Sequence, residues 1–322
     1  MFWKNNDLKQ QTFSFNAPAA LSVKLVGDFT HWEEQPVAMQ PGKDGLWRAT
    51  VALAPGKHQY RFLVDGQWRE DPESALAVPN PHGSQNSIRE VSLTAGQLKA
   101  LGQLDACTVA NAIETFHERL RNEGFADHSI RTIFPSLPPM VGYAATIKIR
   151  GSELPVADGV VYPDRTEWWN YVLSVPEPRV IVVEDCATRP GFGSFLGAVH
   201  ANIARALGCI GAVTNGSVRN IPALESLGFP VFAGSICVSH AYIHIVDVGA
   251  PVEIGGLKIQ SGDLLHGDIH GVQRIPIDTA ARVPAVAAKI LQQEEEIINL
   301  CRSSDFSLEK LRTLVSKVPV SC

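Results

Sequence analysis

The sequence predicts a two-domain α/β protein, in which an N-terminal immunoglobulin-like β-sandwich precedes an α/β domain that ends in helices. From residue 12 to 91, short alternations of apolar and polar residues are separated by turn-forming PGKDG, APGK and VDGQ, a pattern typical of an antiparallel sandwich. After residue 93, apolar runs alternate with segments of helical period, as in α/β domains. The length of 322 residues accommodates two domains, which we place at 8–93 and 94–322.

Composition and charge limit the kinds of molecule that we expect the protein to bind. The net charge is −5 and no run of Lys or Arg occurs, so we expect no nucleic-acid partner. The N-terminus lacks a signal-peptide core, and no segment reaches the ~18–20 apolar residues of a membrane span. We therefore expect a cytoplasmic protein with no membrane partner. The six cysteines include no C-x-x-C pair and are interpreted as reduced thiols, with metal or disulfide roles as the less favoured alternative.

Aromatic residues distinguish the first domain. Asp65-Gly66 predicts a tight hairpin, and Trp47 falls on a strand, which favours a core position. Trp32, in GDFTHW, and Trp68, in VDGQW, instead adjoin turns. Sugars lay their C–H faces on aromatic rings, so two exposed tryptophans can form a sugar platform. The alternative is that both are core residues.

A family resemblance favours the platform. GDFTHW, PGKHQYRF, VDGQWREDP and GSQNSI resemble the glycogen-binding module of the AMP-activated kinase β subunit and of branching and debranching enzymes of the isoamylase N-terminal type. The resemblance implies an α-glucan partner, with stacking on Trp32 and Trp68. It also implies polar contacts from Ser84 and Asn86 and from Arg61, which stands where the family usually has Lys.

The second domain is predicted to consist of alternating strands and helices. We predict helices over 108–120, 196–207 and 221–227, and a helical tail over 283–318. We predict strands at RVIVVED, GAVTNG, PVFAGSI and AYIHIVDV, and a hairpin around Gly255-Gly256.

A glycine-rich stretch predicts an anion site in this domain. Gly193 and Gly197 precede a helix whose first N–H groups can hold a carboxylate. Gly216 is predicted to turn the chain sharply and present Arg219 to the same cleft, where a guanidinium can grip a carboxylate with two hydrogen bonds. The alternative for each glycine is a structural turn.

A second resemblance covers residues 104–276. VGYAATIKI, IVVED, NGSVRN, SHAYIHIVDVGAPVEIGGLKI and GDLLHGDIHGVQRIP resemble the family of the regulator of ribonuclease activity A (RraA) and the 4-hydroxy-4-methyl-2-oxoglutarate aldolases. It implies a ββα swivelling fold and a homotrimer or hexamer with sites between subunits. In the aldolases, a divalent metal (Mg²⁺ or Mn²⁺) and loop amides hold a small 2-oxo acid and polarise its keto group.

The family's site residues transfer onto this sequence with changes. Arg219 matches the arginine that grips the substrate and, with His240, is assigned as catalytic. The substrate-binding loop corresponds to Gly197, Ala198, Val199 and His200. Three acidic positions have become neutral, at Ala198, Asn215 and Asn220. Asn220 stands at the position of the family's metal-ligating Asp. Its alternative role is to cap the helix that follows.

Other polar residues are candidates for the same cleft. We expect acid–base or metal chemistry from His200, His240, His266 and His270, together with Asp263 and Asp268. The alternative for each histidine is a hydrogen-bonded structural role.

Two functions follow. The first is a lyase acting on a 2-oxo acid or sugar-acid derivative and tethered to an α-glucan. The second is a catalytically impaired oligomeric protein that binds glucan or regulates a partner, favoured by the lost acidic residues. Ribonuclease inhibition is a third possibility and rests on family analogy.

Overall fold

The computed structural model describes residues 8–155 and 161–316. The predicted tail beyond residue 316, with Cys322, lies outside the described residues. Contacts divide the chain into two compact units, one ending at Gln97 and the other beginning at Leu98. Each unit is described by itself.

Two antiparallel sheets form the first unit, as the alternating pattern predicts. One sheet has the order β1-β5-β4; the other has the order β3-β2-β6-β9-β8, with β7 paired to β6. Their bounds are β1 Lys9–Asn16, β2 Val23–Gly27, β3 Val37–Ala38, β4 Gln40–Pro41, β5 Leu46–Leu53, β6 Gly56–Val64, β7 Gln67–Arg69, β8 Ala77–Pro79 and β9 Gln85–Val91.

Aromatic side chains fill the space between these sheets. Phe13 packs edge-on against Tyr60, with ring centroids 4.8 Å apart, and both are buried. Trp47 lies on β5 against this core and donates from Nε1 to the carbonyl of Ala17 at 2.9 Å, which confirms its structural role. Asp65 and Gly66 turn β6 into β7 with φ of 48° and 82°, as predicted for the hairpin.

A mixed sheet organises the second unit. Its order is β10-β15-β14-β12-β11-β19-β20, with β13 paired to β14 and β16 paired to β11. The bounds are β10 Arg131–Thr132, β11 Met140–Arg150, β12 Arg179–Asp185, β13 Ser194–Leu196, β14 Cys209–Val218, β15 Val231–Ile236, β16 His244–Val248, β19 Leu264–Asp268 and β20 Gly271–Ile275. A separate hairpin, β17 Val252–Ile254 and β18 Leu257–Ile259, turns at the predicted glycine pair.

The strands β11, β12, β14 and β15 run parallel, so their carboxyl ends meet at one edge. The strand β19 pairs antiparallel to β11, with Gly267 opposite Met140. Residues after β14 and residues after β19 therefore lie at opposite ends of the sheet.

Helices make up the rest of the regular structure, and α1 spans the boundary between the two units. Their bounds are α1 Ala95–Leu101, α2 Ala106–Glu114, α3 Arg165–Ser174, α4 Ala198–Ala206, α5 Ile221–Ser226, α6 Ile277–Ala280, α7 Val283–Arg302 and α8 Leu308–Val315. Arg282 lies 4.5 Å above the Phe116 ring where α7 begins, and the buried Ile290 lies further along this helix. Within the part of the chain that is described, no helix is both long and apolar enough to cross a bilayer.

Several predicted bounds were wrong. The helix α2 ends six residues before the predicted end, and His117 adopts a left-handed φ of 57° beyond it. Leu196 belongs to β13, so α4 begins only at Ala198. Gly216 makes no sharp turn: β14 continues to Val218 through a bulge between Thr214 and Ser217.

Candidate functional sites

The first unit carries an open groove of ≈ 1140 Å³ with two tryptophans beside it. The ring centroids of Trp32 and Trp68 lie 6.5 Å apart and the rings are inclined by 53°. Trp68 is 38% exposed, so a ligand can reach its face. The structure thus brings the two predicted stacking residues together.

Local backbone geometry presents Trp32. His31 and Trp32 both have left-handed φ, 48° and 58°, which turns the chain away from β2. The Thr30 hydroxyl accepts a hydrogen bond from the Gly27 amide at 2.9 Å and lies within donating distance of the Trp32 carbonyl, at 2.8 Å. This hydroxyl holds the unusual turn in place, while Trp68 is fixed by the pairing of β7 with β6.

Arg61 lies beneath the platform. Its Nη1 donates to the Ser84 hydroxyl at 2.7 Å, and its guanidinium lies 5.6 Å from the centre of the Trp68 ring. Its Nε is buried without a hydrogen-bond partner among the described residues. Arg61 thus supports the Trp68 ring and supplies cationic donors to the groove.

Asn80 and Gln59 are among the groove residues that were not predicted from the sequence. Asn80 donates to Ser84 at 2.9 Å and to Asn86 Oδ1 at 3.0 Å, and Asn86 in turn donates to Gln59 Oε1 at 3.0 Å. Ser84 and Asn86, which are predicted to contact the sugar, therefore belong to a hydrogen-bond network organised by Asn80 and Gln59. The turn signal Asn-Pro before GSQN could have pointed to Asn80.

The second site begins at Gly197, which precedes α4. A Cβ on this residue would lie 2.9 Å from Asn220 Oδ1 and 3.1 Å from Arg219 Cγ. Glycine is needed here because the loop before α4 packs directly against the end of β14. The first amides of α4 are consequently held beside Arg219, as the sequence predicts.

Arg219 and His240 form a hydrogen-bonded pair. Arg219 Nη2 donates to His240 Nε2, since a guanidinium can only donate. His240 Nδ1 therefore carries the proton and donates to the Ser194 carbonyl at 2.9 Å. Arg219 Nε is buried against Gly197 and has no hydrogen-bond partner in the described residues.

His200 lies on α4 next to this pair. Its ring stacks on Phe195 with centroids 5.1 Å apart and meets His240 edge-on at 6.3 Å. Burial, with the nearby charges of Arg165, His240 and Arg219, lowers the pKa of His200 to about 4. His200 is therefore neutral at pH 7 and can accept a proton or a hydrogen bond.

A cavity of ≈ 390 Å³ adjoins these histidines. Phe195, His200 and His240 line one part of it, and Tyr162, Asp164 and Arg165 line another. These last three residues were not predicted from the sequence, because the segment before α3 carries no motif. The cavity has the size of a small-molecule site.

The asparagines do not form a divalent-metal site of the kind the family resemblance implies. Asn215 accepts from the Asp185 amide at 2.7 Å and donates to the Asp185 carbonyl at 3.1 Å, so its amide is used. Asn220 Oδ1 accepts from the Ala198 amide at 3.4 Å. In residues 8–155 and 161–316, no three His, Cys, Asp or Glu side chains converge on Arg219. A hard cation would find no charged ligand set here.

Asn220 also does not cap α5 as its alternative role predicted. It occupies the N-cap position with a left-handed φ of 58°, but its side chain makes no capping hydrogen bond. Its oxygen instead meets the first amide of α4. Asn220 thus ties two functional loops together.

Four residues expected at the cleft lie elsewhere. His266, Asp268 and His270 belong to β19 and the turn after it, at the opposite end of the sheet from Arg219. His266 is fully buried and its Nε2 meets the Leu104 carbonyl at 3.0 Å. Asp263 forms an ion pair with Arg274 at 3.3 Å.

The lowered pKa of His200 predicts a dependence of stability on pH. Between pH values of about 4 and 6.5, His200 is protonated in the unfolded chain but neutral in the folded protein. The free energy of unfolding should therefore fall as pH is lowered through this window. We expect His200→Gln to show a shallower decline in urea unfolding measured from pH 7 to pH 4. His128→Gln, at an exposed histidine of the same unit, is the control; an unchanged slope in His200→Gln would contradict the assignment.

The folds and sites define a class of protein: a glycogen-type sugar-binding module joined to an α/β domain that carries a hydrogen-bonded arginine–histidine pair. The family profile described as Aldolase/RraA matches residues 106–273, just over half of the chain. The chain belongs to this RraA-like family. The profile of the glycogen recognition site of AMP-activated protein kinase matches residues 10–96.

Individual relatives match each unit. A putative 4-hydroxy-4-methyl-2-oxoglutarate aldolase of Halalkalibacterium halodurans is 37% identical over 101 residues, 30% of this chain and 46% of the relative. The 5'-AMP-activated protein kinase subunit beta-1 of Rattus norvegicus is 36% identical over 72 residues, 22% of this chain and 25% of the relative. The chain thus matches less than half of the length of either curated relative.

A solved structure supports the fold of the second unit. Streptomyces coelicolor RraAS2, described as an unusual member of the RNase ES inhibitor RraA protein family, aligns with a TM-score of 0.52. The alignment covers 64% of this chain and 98% of that one at 20% identity. This likeness concerns the fold alone, and it agrees with the predicted fold class.

Proposed function

We propose that the chain binds an α-glucan in the groove of its first unit and a small 2-oxo acid beside Arg219 in its second. The RraA-like domain would thereby be held on a glycogen-like polymer. The observation that carries the proposal is the pair of inclined tryptophan rings, with Arg61 against the ring of Trp68.

The inclination of the rings favours an α-linked glucan. Successive α-1,4-linked glucose units curve, so their apolar faces turn relative to one another along the chain. Rings inclined by 53° suit such a curved surface, whereas a flat β-1,4-linked chain would need nearly coplanar platforms. Hydroxyl groups would meet the guanidinium of Arg61 beside the Trp68 ring.

A carboxylate suits the second site. The guanidinium of Arg219 carries a fixed positive charge, and the amides of α4 begin beside it. Charge-assisted hydrogen bonds from a guanidinium, reinforced by a helix N-terminus, bind carboxylates well. The neutral His200 can accept from a protonated group of the same ligand. No step in this binding calls on a metal.

Calorimetry on the full chain tests both parts. We expect maltoheptaose to bind and cellohexaose to bind at least about tenfold more weakly, a difference of about 1.4 kcal/mol. We also expect pyruvate to bind without added Mg²⁺ or Mn²⁺. Equal affinity for the two oligosaccharides would contradict the glucan assignment, and no heat with pyruvate would contradict the 2-oxo acid.

A lyase is the second candidate function. It is favoured by His200, which is neutral beside the arginine–histidine pair and can act as a base toward a 2-oxo acid or sugar acid. Pyruvate release from oxaloacetate or 4-hydroxy-4-methyl-2-oxoglutarate, with and without Mg²⁺, decides the matter. Release of pyruvate would support the lyase. The absence of release would exclude a lyase that acts on these substrates and would favour a regulatory protein.

Assembly into a homotrimer or hexamer forms part of the proposal. Exposed apolar side chains surround Arg219, with Val199 72%, Ile236 58% and Val238 92% exposed. A second subunit would cover them. We expect Val238→Asp to lower the mass measured by light scattering, whereas Leu21→Asp, at a residue of the first unit that is also 92% exposed, should not. A monomeric wild-type chain would contradict this.

The cytoplasm is the proposed location. The five cysteines within the described residues are all free thiols, a state that a reducing compartment maintains.

A further inference from the structure

A group of metal-binding side chains lies at the end of the second unit opposite Arg219. Asp105, Cys107 and His270 each offer one ligand atom, and these atoms lie within 4.8 Å of one another. Asp105 and Cys107 begin α2, whereas His270 lies in the turn between β19 and β20. The group thus joins two elements that are far apart in the sequence.

We propose that Asp105, Cys107 and His270 bind a zinc ion. A thiolate and an imidazole are donors that Zn²⁺ prefers, whereas Mg²⁺ and Ca²⁺ prefer oxygen ligands. Zinc bonds of 2.0–2.3 Å in a tetrahedron place ligand atoms about 3.3–3.8 Å apart, so small side-chain rotations would close this group. Three protein ligands leave the fourth position to water.

A buried carboxylate outside the donor group fixes the histidine. Asp268 is 7% exposed, and its Oδ1 lies 3.1 Å from His270 Nδ1. A carboxylate that accepts from Nδ1–H leaves the lone pair of Nε2 for a metal and raises its basicity. Metal-binding histidines commonly have such a partner.

The same carboxylate anchors the other side of the group. Asp268 Oδ2 accepts from the Ala106 amide at 2.8 Å, and Ala106 lies between the two ligands on α2. Asp105 is held by Thr108, whose amide and hydroxyl donate to it at 2.8 and 2.7 Å. The donors are therefore positioned before any metal arrives.

Charge favours a dication at this point, because the carboxylates of Asp105 and Asp268 lie beside the imidazole and the thiol.

The site is independent of the carboxylate site. Asp268 lies beside Met140 at the start of β11, whereas Asp185 and Arg219 lie at the far end of the parallel strands. Roughly 30 Å of strand separates the two ends. The zinc ion would act as a cross-link between α2 and the β19–β20 turn.

Cobalt titration of the full chain tests the proposal. Co²⁺ replaces zinc and reports a bound thiolate through a charge-transfer band in the near ultraviolet. We expect the band to reach its full height at one equivalent in the wild type and in Cys301→Ser, a control at another exposed cysteine. We expect it to be lost in Cys107→Ser and His270→Ala.

Thermal unfolding provides the second measurement. One equivalent of Zn²⁺ should raise the melting temperature of the wild type and of Cys301→Ser but not that of Cys107→Ser. Asp268→Asn should weaken the affinity for zinc by about 10–100-fold. The absence of a thiolate band in the wild type, or an undiminished band in Cys107→Ser, would overturn the proposal.

Discussion

Trp68→Ala should lower the affinity for maltoheptaose about thirtyfold, a loss of about 2 kcal/mol. The substitution removes one of the two stacking faces and also exposes Arg61, which lies 5.6 Å from that ring. Trp32→Ala should have a similar effect, and the double variant should bind too weakly to measure. Calorimetry with the folded variants provides the comparison.

Trp47 supplies a matched control for this prediction. Its Nε1 donates to the Ala17 carbonyl and its ring packs on the core of the first unit. Trp47→Phe should therefore lower the melting temperature but leave the affinity of the folded protein unchanged. A Trp68→Ala variant that binds glucan like the wild type would remove the platform from the proposal.

Arg219→Ala should lower the affinity for pyruvate about a hundredfold, close to 3 kcal/mol. The substitution removes the charge and the guanidinium donors, and it leaves His240 Nε2 without the hydrogen bond from Arg219. Arg219→Lys should recover only part of the loss, because a lysine cannot make two parallel hydrogen bonds to a carboxylate.

Arg205 provides the control for Arg219. It lies in the last turn of the same helix that offers its first amides to the ligand, and it is exposed. Arg205→Ala should bind pyruvate like the wild type. If both variants lost affinity equally, the effect would reflect the net charge of the domain, and Arg219 would lose its assigned role.

Local sequence signals predicted the first site well. Turn chemistry and alternation placed Trp32 and Trp68 beside loops, and the structure brings their rings to 6.5 Å. Asn80 was not predicted, because its role depends on side-chain hydrogen bonds to Ser84 and Asn86. A pattern of apolar residues does not record such bonds. The family motif predicted Ser84 and Asn86 as sugar contacts, but it gave no information on the hydrogen bonds that hold their side chains.

Long-range contacts limited the prediction of the second site. The proximity of Arg219 to the loop at Gly197 was predicted, although through a sharp turn at Gly216 that the structure does not contain. The placement of His266 and His270 was not predicted, because β19 pairs antiparallel to β11 and carries them to the other end of the sheet. A histidine motif alone cannot show which way its strand runs. The bulge at Gly216 was also hidden, since glycine is compatible with both a turn and a bulge.

The contact between Asp268 and Ala106 has a consequence for how the chain folds. The carboxylate that accepts from the first amide of α2 is 162 residues away in the sequence. During synthesis, α2 leaves the ribosome well before Asp268 has been made, so this amide must first be satisfied by water. Contacts of such sequence separation slow folding, because a long loop must close before they form. The start of α2 should therefore gain protection from hydrogen exchange late in refolding, together with β19.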